Sequence, residues 1–263
     1  MEQDFCRWPK LKSHFTQFRW HPMPETLAAL LFAHVLADFV FQTNWMVAHK
    51  QHPKALAAHG AVVLVTAIVA TGGISWGLLW LTAIHVAIDA IKARMKPRLA
   101  AFLIDQAAHL VTLAALALWQ PDLWSTGLWA DLTPLPTLML AAAGAILATR
   151  AGGFAIGFLM APFAASLPDK ISAESLPGAG RVIGQLERGL IFALVLLGQP
   201  EGVGLLIAAK SILRFGAVRD DRALSEYVII GTLASFAWAL LMAYATISGL
   251  GMLPPLGISP VTP

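Results

Sequence analysis

Apolar residues along this chain gather into eight long runs, at 26–42, 55–71, 75–92, 99–119, 135–160, 184–198, 202–216 and 226–249. Most approach the length of a membrane-crossing helix, roughly 17–25 residues. Only helices satisfy their own backbone within a single segment in lipid. The pattern therefore predicts an all-α fold, a polytopic transmembrane helix bundle of about eight spans. The seventh run is short and the fifth is interrupted by Gly152-Gly153, so a kink or a partly re-entrant segment is expected at either. Turn-forming stretches divide the chain into an N-terminal tail (1–24), a first four-helix half (25–120) and an external connector (121–134). A second four-helix half (135–250) and a C-terminal tail (251–263) follow. The connector holds Pro121, Asp122, Gly127, Asp131 and Pro134, and the main inner loop is expected at 162–183, with Pro162, Pro168, Pro177, Gly178 and Gly180. Trp45, Trp76, Trp80, Trp119 and Trp124 fall near run ends, where aromatic belts sit.

Polar positions inside the runs are few and ordered. His34 and Asp38, His85 and Asp89, and Asp105 and His109 are each four residues apart, so each pair shares a helix face. An ionised Asp at mid-membrane costs roughly 2.5–3.5 kcal/mol on insertion scales, so three of them require partners. With the spans alternating in direction, these six residues and His59 occupy one slab, roughly 4–15 Å below the same surface at 1.5 Å per residue. Four helices with unrelated polar positions would not align in this way. His14, His21, His49 and His52 lie outside the runs and are expected in solvent, and Lys92 is expected to snorkel to the surface.

Composition agrees with a membrane chain: 57% of the 263 residues are hydrophobic, 13% are charged, and the mean hydropathy is +0.69. Soluble domains carry nearer a quarter charged residues. A single cysteine, Cys6, excludes an internal disulfide or a cysteine metal cage. The net charge of +3 reflects a loop bias rather than nucleic-acid binding. Lys50, Lys54, Arg94, Lys96, Arg98, Lys170, Arg181, Arg219 and Arg222 fall in alternate loops, and the intervening loops carry no Lys or Arg. The positive-inside rule places those basic loops in the cytoplasm and both termini outside. The basic first 22 residues run against that placement, and translation from Met23 is one resolution. Arg150 is expected either to reach the inner surface or to pair within the bundle.

Imidazole and carboxylate donors suit zinc, manganese or iron, and four-helix bundles build such sites from facing helices. The candidate metal ligands are His34, Asp38, His59, His85, Asp89, Asp105 and His109, with Asp38, Asp89 and Asp105 as candidate catalytic bases. The His-x-x-x-Asp spacing is not the His-Glu-x-x-His of zinc proteases. Hydrogen-bonded glue between helices is the structural alternative. Gln42 and Gln106 are expected to support the ligands rather than join them.

These same residues carry a resemblance. His34-Val-Leu-Ala-Asp38-Phe-Val-Phe-Gln42-Thr-Asn-Trp45-Met, His59, His85-Val-Ala-Ile-Asp89 with its basic turn, and Phe102-Leu-Ile-Asp105-Gln106-Ala-Ala-His109 resemble the uncharacterised bacterial membrane family known as domain of unknown function 3307. Ile183-Gly-Gln-Leu-Glu187-Arg188, Ile207-Ala-Ala-Lys210-Ser211-Ile-Leu-Arg214-Phe and Glu226-Tyr-Val-Ile-Ile-Gly231-Thr232 resemble its long form, so that the likeness covers roughly 25–245. The resemblance implies fold, membership and a multi-pass place in the bacterial inner membrane, and no reaction.

In the second half, Lys210, Ser211 and Arg214, with Glu187 and Arg188, are candidates for holding a phosphate or carboxylate of a lipid or phosphorylated substrate; interhelical ion pairs are the structural alternative. Three functions fit the whole: metal-dependent hydrolysis of a lipid-like or phosphorylated substrate, cation or proton transport through the same cluster, or a non-catalytic scaffold. The partners expected are the bilayer and a lipid or anionic substrate; oligomeric state is left open.

Overall fold

The computed structural model describes residues 23–164, 176, 178–215 and 222–255, and the side chains of 213–215 are outside the description. The tail to residue 22, most of the expected inner loop, Arg219, the Arg214 side chain and the chain beyond 255 thus lie outside the described residues. Each of the eight apolar runs contains a helix, and among the described residues there are no strands. The helices are α1 (Met23–Leu36), a short α2 (Asn44–Ala48), α3 (Pro53–Thr71), α4 (Trp76–Lys92), α5 (Leu99–Trp119), α6 (Leu135–Ile146), α7 (Gly152–Ala164), α8 (Ala179–Leu196), α9 (Glu201–Phe215) and α10 (Arg222–Leu250).

Two of these helices continue through a π segment. α1 runs on through Ala37–Phe41, and α6 joins α7 through Leu147–Ala151. The interruption expected at Gly152-Gly153 is therefore a π turn just before the glycines, with the helix unbroken. Five segments are long and apolar enough to cross a membrane: Met23–Phe41, Pro53–Thr71, Leu99–Trp119, Leu135–Ala164 and Arg222–Leu250. The remaining three runs, α4, α8 and α9, are shorter or more polar, so five crossings rather than eight stand on length and composition.

Local chemistry sets the boundaries. Pro53 opens α3, where its missing N–H costs nothing, and Gly72 ends it in the left-handed region at φ 69°. A Cβ at Gly72 would lie 2.7 Å from the Leu128 amide nitrogen, which donates to the Gly72 carbonyl and fastens the connector to the bundle. Ser75 and Thr43 cap α4 and α2 by accepting from Leu78 N and Met46 N.

α1 packs against α3, α5 and α6, α4 lies against both α3 and α5, and α10 packs against α6, α7 and α8. α1 and α6 thus form the seam between the two halves, lined by Val35, Phe39, Phe102, Ala143, Ala151 and Ala155. One end of the first half is closed by a dense apolar cluster that includes Leu30, Leu78, Leu81, Leu113, Leu116 and Trp124. Large side chains such as Val65, Trp80, Ile104, Val111 and Leu118 point outward and are exposed. Apolar outside and polar inside is the arrangement lipid demands.

Candidate metal centre

The seven predicted residues converge. His34, His59, His85, Asp89, Asp105 and His109 are buried, and the Asp38 side chain is 7% exposed. They come from the π-ended α1 and from α3, α4 and α5, at the end of the first half opposite the apolar cluster.

Helix-spaced partners are not, however, the closest ones. His34 Nδ1 lies 3.9 Å from Asp38 Oδ1, His85 Nε2 lies 4.0 Å from Asp89 Oδ2, and His109 Nε2 lies 3.5 Å from Asp105 Oδ1. Tighter approaches run between helices. Asp38 Oδ1 is 3.3 Å from both His59 Nε2 and His85 Nε2, and those two nitrogens are 3.1 Å apart. Asp89 Oδ2 is 3.3 Å from His59 Nε2. The π segment offers a cause: Asp38 lies inside it, where the extra residue per turn changes the direction of the side chain.

Those four atoms, Asp38 Oδ1, His59 Nε2, His85 Nε2 and Asp89 Oδ2, give five inter-donor distances of 3.1, 3.3, 3.3, 3.3 and 4.0 Å. Ligands about 2.0–2.1 Å from a tetrahedral ion stand about 3.3–3.4 Å from one another. The three edges among Asp38 Oδ1, His59 Nε2 and His85 Nε2 match that value, so this trio fits a divalent ion, with Asp89 Oδ2 beside it at 3.3 Å from His59 Nε2. His34, His85 and His109 form a second grouping within 4.8 Å, and Asp89, Asp105 and His109 a third. The rings of His85 and His109 stack at 4.0 Å, and His34 lies 5.1 Å from His109.

Hydrogen-bond satisfaction points to the same place. Among the described residues, nine buried side-chain atoms lack a hydrogen-bond partner. Eight belong to His34, Asp38, His59, Asp89, Asp105 and His109, and the ninth is Gln42 Nε2. Buried polar atoms are normally paired; the exceptions are concentrated in one cluster, whose free nitrogens and oxygens could hold a metal ion.

Two lysines complete the centre. Lys50 Nζ donates to Asp89 Oδ1 at 3.1 Å, and Lys92 Nζ pairs with Asp105 Oδ2. Lys92 does not snorkel outward as its place near the helix end predicts, and turns back to the carboxylate. Lys50, in the loop after α2, carries no sequence signal for this role. Gln106 Nε2 donates to Asp105 Oδ2 at 3.0 Å, a supporting contact. Both lysines also line an open cavity of about 300 Å³ with His52, Lys96, Arg98 and Phe158. The polar centre thus has a basic mouth at one end and an apolar seal at the other.

The second-half candidates are placed differently. Lys210 Nζ donates to Glu187 Oε2 at 2.6 Å. Arg188 is buried and spends its guanidinium on the carbonyls of Ala148 and Thr149 and on Ser235 Oγ. Ser211 is exposed, its hydroxyl donates to Ile207 O, and it does not line the cavity that Lys210, Glu187 and Arg188 share. Arg150 pairs within the protein, donating from Nη1 to Phe39 O at 2.9 Å.

Fold and centre together define a membrane-type helical bundle with a buried His/Asp cluster able to hold a metal. Residues 26–130 match the family described as Protein of unknown function (DUF3307), the family to which the first-half motifs pointed. That match takes in every residue of the centre and ends in the connector, so the second half lies beyond it. No curated protein and no solved structure matches the chain.

Proposed function

We propose that this protein is a metal-dependent membrane hydrolase acting on a phosphorylated amphiphile, with all eight helical runs embedded in a bacterial inner membrane and the basic mouth facing the cytoplasm. The close approach of Asp38, His59 and His85, 3.1–3.3 Å apart with Asp89 3.3 Å from His59, carries the reading. These four would hold a single zinc, manganese or iron ion. Such an ion supplies Lewis acidity and a water made nucleophilic near neutral pH.

Charge supports an anionic substrate. Three carboxylates face two ammonium groups, an excess of one negative charge. A divalent ion turns that into an excess of one positive charge, which one anion neutralises. Lys50 and Lys92 sit between the carboxylates and the mouth, where they would draw a phosphate toward the centre. His109, whose Nε2 lies 3.5 Å from Asp105 Oδ1 and whose ring stacks on His85, would take a proton from water and return it to the leaving alcohol. In that reaction water oxygen forms the new bond to phosphorus as the ester oxygen leaves.

The same features weigh against cation transport. A mouth lined by lysines and arginine repels cations, and the opposite end is packed with apolar side chains. Elemental analysis of detergent-purified protein tests the proposal. About one ion per chain is expected in the wild type and none in a folded His85→Ala/Asp89→Ala variant. Phosphate release from short-chain phosphatidic acid in mixed micelles should depend on that ion. A well-folded wild type that takes up no ion would overturn the assignment.

A further inference from the structure

A second cavity, of about 470 Å³, lies in the other half, between α7, α8 and α10, with Lys210 of α9 at its wall. α7 separates it from the metal centre: Phe158 lines the basic mouth, whereas Gly153, Gly157 and Met160 line this cavity. Arg181, Glu187, Arg188 and Lys210 contribute its charges. Glu187 is already engaged by Lys210, so three cations meet one carboxylate and the lining carries an excess of two positive charges.

Arg188 is the group that demands explanation. It is 3% exposed, and among the described residues no carboxylate lies within ion-pair distance of it. A guanidinium has five N–H groups. Among the described residues, Nε, one Nη1 hydrogen and one Nη2 hydrogen serve Ala148 O, Thr149 O and Ser235 Oγ, which leaves two unspent. Its surroundings are shaped around it. A Cβ at Gly184 would stand 3.1 Å from Nη1, and one at Gly152 would stand 2.9 Å from Nε. Glu187 acts on this buried charge only from beyond ion-pair distance and is itself engaged by Lys210, and planar N–H pairs match phosphate oxygens.

We infer that this cavity is a phosphate-binding site, independent of the metal centre, in which Arg188, Arg181 and Lys210 hold a phosphate group. The group is either free phosphate or the phosphodiester of an anionic lipid head group. Gly157 leaves the ligand its room, since a Cβ there would meet nothing within 4 Å among the described residues. Thr232 and Tyr227 add hydroxyls to the lining.

Thermal unfolding of the detergent-purified full chain reads the site directly, at fixed ionic strength with chloride as reference. Protection by inorganic phosphate identifies a soluble anion; protection only by micelles containing phosphatidylglycerol, and not by phosphatidylcholine, identifies a head group. Arg181→Gln should weaken either by about tenfold, the size of one charge-assisted contact. Gly157→Leu should abolish it by filling open space, and both variants should keep the metal content of the wild type. Absence of protection by both probes overturns the inference. So does protection that survives both substitutions, which would belong to the Lys50–Lys92 mouth.

Discussion

Asp89 and Asp105 each turn one oxygen toward an imidazole and the other toward an ammonium group. Lys50 serves Asp89 and Lys92 serves Asp105, which leaves the imidazole-facing oxygens of both carboxylates available. Replacing Lys92 by Met removes a partner from a buried carboxylate and should destabilise the metal-free protein by about 1–3 kcal/mol. Lys92→Arg should recover most of that loss, as read by denaturant unfolding in detergent. Lys50 acts on a proposed ligand. Lys50→Met should tighten metal binding, because a competing cation is gone, and weaken the anionic substrate; calorimetric titration showing weaker metal binding would contradict this role. The side chains of the centre were legible as seven residues at one depth. Their pairing was not, because spacing along a helix fixes a shared face but not the rotation of that face against its neighbours. The direction of Lys92 is illegible in the sequence for the same reason: its stem reaches either way, and only the packed position of α5 decides.

At the level of elements, the eight helices could be read from the chain because lipid leaves apolar runs no other backbone solution. The π segments could not, since both depend on what lies beside them. Arg150 caps Phe39 O in the first π segment, and Arg188 caps carbonyls in the second. Close approach of helices has a clearer source. Gly60, beside the His59 ligand, lets α3 meet α4, and a Cβ there would fall 2.8 Å from Val86 Cγ2. Gly60→Ala should cost about 1–3 kcal/mol through overpacking. It should also weaken metal binding without altering any ligand, by moving His59 away from His85. Unchanged metal affinity in that variant would show that the crossing does not set the ligand distance.

For the whole molecule, the decisive property is its polarity from end to end. A basic mouth, a buried His/Asp centre and an apolar closure follow one another within the first half. Proteoliposomes carrying the protein should show no manganese flux above empty vesicles, measured with an entrapped metal-sensitive dye; flux abolished by His85→Ala would restore the carrier reading. Which end opens was partly legible, since the basic loops predict a shared side. The closure was not, because its residues are apolar like most of the chain and acquire meaning only when assembled.

Arg150 reaches from the second half to the carbonyl of Phe39, one residue past Asp38. A polypeptide cut after the connector would keep every proposed ligand yet lose this donor and the α6 face on which α1 rests. The position of one carboxylate would then be governed by a backbone group seeking a new partner. Dissecting the protein into its halves is therefore expected to blunt the centre even where all seven of its side chains survive.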